Sequence, residues 1–76
     1  MMPLNLAQAG DRGLIDRVGG SGDLRRRLEE LGFTSGQPVH VLSSRQGDLI
    51  VDVRGSRIAL GRDLARRVHI RLGETA

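Results

Sequence analysis

Residues 25–36, RRRLEELGFTSG, contain a helix, its stop signal and the turn that follows. Leu24, Leu28 and Leu31 recur at i, i+4 and i+7, the spacing that puts three side chains on one helical face. Gly32 ends the run, because glycine enters the left-handed conformation at a helix C-terminus without a Cβ clash. Upstream, Ser21 or Asp23 is placed to accept hydrogen bonds from the free N–H groups of the first turn. Asp23 with Arg27, Arg25 with Glu29 and Arg26 with Glu30 are spaced for ion pairs between successive turns.

Outward from this helix the period changes. On its N-terminal side, Leu4, Leu6 and Ala7 lead to a Gly10-Asp11 turn, Gly13 to Val18 (GLIDRV) has strand composition, and Gly19–Gly22 (GGSG) breaks it. On its C-terminal side Val39 and Val41 alternate with His40 and Leu42. After a Gln46-Gly47-Asp48 turn, Leu49, Val51 and Val53 alternate with Ile50, Asp52 and Arg54, which makes a hairpin. Gly55-Ser56 turns the chain into Arg57–Leu60, with Ile58 and Leu60 on one face. Residues 61–67 hold one helical turn, with Leu64 and Ala65 covering a barrel end. A last strand, Val68–Leu72, points Val68, Ile70 and Leu72 inward. The pattern predicts a mainly β domain over residues 1–76: five short strands in a small, partly closed barrel, with one short α-helix inserted after the first strand. Closure hides sheet edges that would otherwise pair with other chains.

Composition narrows the function. The chain has 76 residues, no cysteine and one aromatic residue, Phe33. A domain this small has no room for a deep substrate cavity, and without thiols it depends on an unassisted apolar core. That suits a reducing cytoplasm. No apolar run approaches the length of a membrane span, and the N-terminus lacks the basic start and apolar stretch of a signal peptide, so direct membrane insertion is not expected. The formal charge is +3, from twelve arginines, no lysine and nine acids. Asp16, Asp23, Glu29, Glu30, Asp48, Asp52 and Asp63 interleave with the arginines, which reads as a mixed solvated surface. Single-stranded nucleic-acid platforms and proline-rich peptide grooves are built from several aromatics, so both uses are disfavoured.

The chemistry-bearing residues favour binding over catalysis. There is no nucleophile elbow, no carboxylate pair at an evident pocket and no cofactor fingerprint, so catalytic residues and cofactors are assigned as none. The GGSG loop precedes a helix N-terminus, but Asp23-Leu24 follows it where a phosphate loop needs Lys-Ser/Thr; it is read as a strand-to-helix turn. His40 and His69 fall on the outward phase of their strands. A metal site built from these two would need carboxylate partners such as Asp52, and nothing in the spacing brings them together; both are read as solvated, and no metal ligand is assigned.

The order Gly13-x-Ile15-x-x-Val18, a glycine-rich break, Arg26-Arg27-Leu28-x-Glu30-Leu31-Gly32-Phe33-x-x-Gly36-x-x-Val39-x-Val41, a hairpin, Val53-Arg54-Gly55-x-x-Ile58-Ala59-Leu60 and Ala65-x-x-Val68-x-Ile70 resembles the FeoA family of ferrous iron transport proteins. The resemblance runs from about Leu4 to Leu72. It implies an SH3-like β-barrel, a cytoplasmic accessory role beside FeoB, the membrane ferrous iron transporter with a cytoplasmic GTP-binding domain, and kinship with the C-terminal SH3-like domain of DtxR-type iron-dependent repressors. Those repressors need an N-terminal winged helix, for which this sequence has no room. Leu49 stands where many members have proline, and Gly61 where an arginine is common.

The candidate partner-binding residues are Arg25, Arg26, Arg27 and Ile50. Arg25 and Arg26 belong on the wet face of the helix, where guanidinium groups make bidentate contacts to carboxylates or phosphates. Arg27 sits at the edge of the leucine stripe, where its methylenes reach the barrel. Ile50, on the outward phase, is either a single exposed aliphatic or the centre of an interface. The expected function is a protein–protein binding module for FeoB. The alternatives are a small basic nucleic-acid-binding barrel and an SH3-like domain acting in trans on an iron-dependent transcriptional regulator. A homodimer through an exposed sheet edge is a further expectation.

Overall fold

The computed structural model describes residues 1–73; residues 74–76, part of the expected domain, lie outside the described residues. Strand β1 (Met2–Pro3) leads through a 3-10 turn (Leu4–Leu6) to β2 (Arg12–Val18), α1 (Gly22–Glu30), β3 (Pro38–Arg45), β4 (Asp48–Val53), β5 (Ser56–Leu60), α2 (Arg62–Ala65) and β6 (Val68–Leu72). The six strands form one antiparallel sheet in the order β1-β6-β2-β3-β4-β5. Five of them match the expected strands. The sixth, Met2–Pro3, pairs with Ile70 and His69 and was invisible to periodicity because two residues carry no alternation. The helix therefore follows the second strand rather than the first. The sheet curls without closing: β1 and β5 lie at its two ends.

Two bulges bend it. The β2–β6 register slips between Ile15 and Arg17, and the β3–β4 register between Val41 and Ser43. An extra residue on one strand of a pair bends that strand and increases its twist, which here wraps the sheet around its inner face. Ile15, Val39, Val41, Leu49, Val51, Val53, Leu60, Val68 and Ile70 fill that face, all buried. The two hairpin turns, Gln46-Gly47 and Arg54-Gly55, place both central residues at positive φ (55° and 86°, 55° and 80°). This is the two-residue turn whose twist matches the flanking strands; the second lies one residue before the expected Gly55-Ser56, so Ser56 opens β5 and pairs with Val53.

Each end of the barrel has its own plug. At the Asp48 end of β4, buried Leu4 and Ala7 meet α2, whose Ala65 is buried and Leu64 half-buried as expected. Asp48 Oδ1 accepts the Arg62 N–H at 2.9 Å and fixes α2 to the strand. At the Val53 end lies the stop of α1. The Phe33 N–H donates to the Leu28 carbonyl and the Gly32 N–H to the Glu29 carbonyl, both at 3.0 Å, with Gly32 at φ 110°. This paired closure brings the residue after the glycine onto the residue three before the cap. Phe33 and Leu28 are both fully buried.

That closure corrects the expected leucine stripe. Leu28 is buried, Leu24 half-buried, and Leu31 is 42% exposed. Leu31 is the C-cap, already turning away from the barrel, and Phe33 takes its place in the core. Leu72 is corrected likewise: it lies opposite Gly13, past the end of the core, and is 46% exposed. Ser21 is the N-cap, but its side chain makes no capping hydrogen bond.

Candidate partner interface

Arg25, Arg26 and Arg27 all lie exposed on α1. At about 100° per residue, Arg26 points nearly opposite the buried Leu28, while Arg25 and Arg27 flank the two sides of the leucine stripe. None of the expected pairs with Asp23, Glu29 or Glu30 closes; the ion pairs among the described residues are Arg66–Asp63 at 3.4 Å and Arg71–Asp16 at 3.7 Å. Exposed pairs gain little against water and side-chain entropy, so these guanidinium groups stay hydrated. Arg27, expected to lay its methylenes on the barrel, is an exposed residue like the other two. The result is a fan of three exposed cations spread around the sides and back of a helix anchored by Leu28.

Ile50 lies elsewhere. It is 43% exposed on the outer face of β4, opposite Ser43 of β3 and Ala59 of β5, in a shallow groove of about 500 Å³ between the β3–β4 and β4–β5 pairs. Its neighbours there are Ser44, Arg45 and Leu60. The arginines are on α1, an element with no more than glancing contact to β4, and Ile50 is on the outer face of β4, so the four predicted residues fall on two separate elements.

A second groove, of about 470 Å³, opens where β2, β3 and β4 meet the β4–β5 turn, and Arg12, Gln37, His40, Asp52 and Arg54 line it. Sequence spacing did not join these residues. The strand register does: Arg12 lies opposite His40, His40 opposite Asp52, and Asp52 opposite Arg57, so one row of the outer face reads cation, imidazole, carboxylate, cation. Arg54 adds a guanidinium at the rim. Its stem crosses the helix stop, since a Cβ at Gly32 would fall 2.9 Å from Arg54 Cδ. The only signal in the sequence was Arg-Gly at the centre of a two-residue turn, where asparagine is the usual first residue.

His40 thus neighbours Asp52, whereas His69 is on β6, opposite Pro3 on one side and Arg17 on the other. His69 is half-buried and its Nδ1 is enclosed without a hydrogen bond, which corrects its reading as a solvated side chain. Among the described residues no three His, Asp or Glu side chains converge as a metal site would require. In the GGSG loop the Gly19 N–H donates to the Arg67 carbonyl at 2.7 Å, and Gly20, at φ 106°, leaves space for the Arg67 side chain. The loop is stitched to the segment before β6, in keeping with a turn. No helix among the described residues is long and apolar enough to cross a membrane.

The FeoA domain model matches residues 2–72. Putative Fe(2+) transport protein A of Methanocaldococcus jannaschii is 29% identical over 70 residues, 92% of this chain and 85% of that protein. Among solved structures, an iron uptake regulatory protein (FeoA) superimposes with a TM-score of 0.88 at 36% identity, over 93% of this chain and 96% of its own. Stenotrophomonas maltophilia FeoA, a prokaryotic SH3 domain protein solved in complex with zinc, gives a TM-score of 0.80 at 28% identity over 93% and 91% of the two chains. A manganese-dependent transcriptional repressor shares the fold over 93% of this chain and 40% of its own, with a TM-score of 0.85 at 20% identity. The curled sheet is thus an SH3-like fold, shared with such repressors.

Proposed function

The chain belongs to the FeoA domain family of ferrous iron transport, and from that premise we propose that it is a cytoplasmic, non-enzymatic accessory protein that binds FeoB, the membrane ferrous iron transporter, at its GTP-binding domain. Residues 1–76 act as one binding module. The observation that supports this reading is the arginine fan of α1: three exposed guanidinium groups, none paired with an acid among the described residues. A guanidinium held on a short, anchored helix meets a carboxylate with two parallel hydrogen bonds, which gives direction as well as attraction. Ile50 supplies a second, apolar contact on another face.

A chemical-shift titration of this protein with the isolated GTP-binding domain of the transporter, and separately with Fe²⁺, tests it. Shifts centred on residues 22–31 with the domain, and co-purification with the whole transporter from detergent, are expected. Unchanged shifts with the domain, together with unchanged iron uptake when the protein is deleted, would refute the assignment. Shifts with duplex DNA or RNA that fade steeply as salt rises would instead support the nucleic-acid alternative, because phosphate contacts release counterions.

A further inference from the structure

The two ends of the sheet are not alike. The β1 end is two residues long and contains Pro3, which has no N–H to offer. Short length and proline are the usual ways a sheet edge is blunted. The β5 end is five residues, Ser56–Leu60, without proline. Beyond glancing contacts, β4 is the one element packed on β5 among the described residues.

The hairpin fixes which peptide groups of β5 are free. Val53 faces Ser56 across the two-residue turn, so Val53–Ser56, Val51–Ile58 and Leu49–Leu60 are the pairs that exchange hydrogen bonds. Arg57 and Ala59 sit between them, opposite Asp52 and Ile50, and turn their N–H and C=O groups away from β4. Neither residue bonds through its backbone to any other element among the described residues. The edge therefore presents two donor–acceptor pairs, with half-buried Ile58 between them packed against the core.

We propose that this edge pairs with β5 of a second copy of the chain, antiparallel, about a two-fold axis through Ile58. That register sets Arg57 against Ala59 of the other copy twice over, each pair exchanging both backbone hydrogen bonds, with the two Ile58 side chains adjacent on the inner face. Charge selects it. A shift that centres the axis on Arg57 would set the two arginines directly opposite one another, and like charges facing across strands repel. In the chosen register each Arg57 faces a methyl group and keeps Asp52 of its own sheet on the other side. The pairing does not use the arginine fan of α1, which makes no more than glancing contact with β5 among the described residues, whereas Ile50 lies opposite Ala59, beside the seam.

Sedimentation equilibrium of the full chain, with amide exchange followed residue by residue, tests the proposal. The expected result is a monomer–dimer equilibrium in which the Arg57 and Ala59 amides become protected as concentration rises, while the Ile58 amide, bonded to Val51, is protected throughout. Ala59→Pro removes an edge N–H that β4 does not use and should give a folded monomer. Ala59→Glu sets a carboxylate opposite Arg57 of the other copy and should tighten the dimer several-fold; Ala59→Lys should loosen it several-fold. A chain that stays monomeric at millimolar concentration would overturn the proposal. So would a dimer that responds equally to Glu and Lys at position 59, a test that stands even if the proline variant does not fold.

Discussion

Replacing Gly13 by alanine would set a methyl carbon 2.5 Å from the carbonyl oxygen of Arg71, 3.1 Å from its carbonyl carbon and 3.3 Å from Cα of Leu72. The obstacle is backbone on the paired strand, since Gly13 lies opposite Leu72 in the β2–β6 ladder and opposite Val39 on its other side. No rotamer change relieves it, and β6 must move outward. Forcing a carbon into packed structure costs about 1–3 kcal/mol, against which alanine recovers roughly 0.4–1 kcal/mol by restricting the unfolded chain. For a domain of this length the whole stability is about 4–11 kcal/mol, so a substantial share of it is at risk. A 2.5 Å approach to backbone belongs at the upper end of that packing cost, about 2–3 kcal/mol before the alanine gain, so the net cost is about 1–2.6 kcal/mol; at roughly 4–8 °C per kcal/mol the melting temperature falls by about 4–21 °C. The control is the same chemical change at Gly22, the first residue of α1, where an added Cβ meets nothing within 4 Å. There alanine should raise stability by up to about 1 kcal/mol. Thermal and urea unfolding followed by circular dichroism would measure both. A Gly13→Ala protein that melts within a degree or two of the parent, or a Gly22→Ala protein that melts lower, would refute the reasoning.

Phe33→Ala should cost about 3–5 kcal/mol, most of the stability available, because the ring is fully buried and anchors the stop of α1; urea titration should show the midpoint collapse. Gln46→Asn, at φ 55° before Gly47, puts the preferred residue into the turn, and should raise the urea midpoint slightly. Changing Arg25, Arg26 and Arg27 together to glutamate should leave the fold intact, each exposed change staying within about 0.5 kcal/mol, while abolishing the chemical shifts induced by the transporter's GTP-binding domain.

How far each feature could be read in the sequence depended on the range of the interaction behind it. The helix was legible in RRRLEELGF because its period and its glycine stop act within a few residues. The hairpins were legible because Val-x-Val alternation and glycine turns are also local, although the second turn lies at Arg54-Gly55, one residue before the expected Gly55-Ser56. Phe33 escaped as a core anchor, though Leu-Gly-Phe carries the signal: the residue after a stop glycine folds back onto the last helical turn. Leu31 and Leu72 kept the right phase but lost burial, since periodicity says which way a side chain points and not where the core ends.

The candidate surfaces divide in the same way. The arginine fan was legible as three consecutive cations on a short helix; that its intrahelical pairs stay open was not, because exposed ion pairs are decided by small differences against solvent. The row Arg12, His40, Asp52, Arg57 comes from four strands, and no spacing along the chain encodes it. The sequence by itself determined five of the six strands, both helices and the family, because propensity, alternation and glycine conformation are short-range. Only the tertiary structure decided which strand ends as an open edge, which side chains share the outer grooves and why a Cβ at Gly13 meets backbone, because these follow from the register between distant strands.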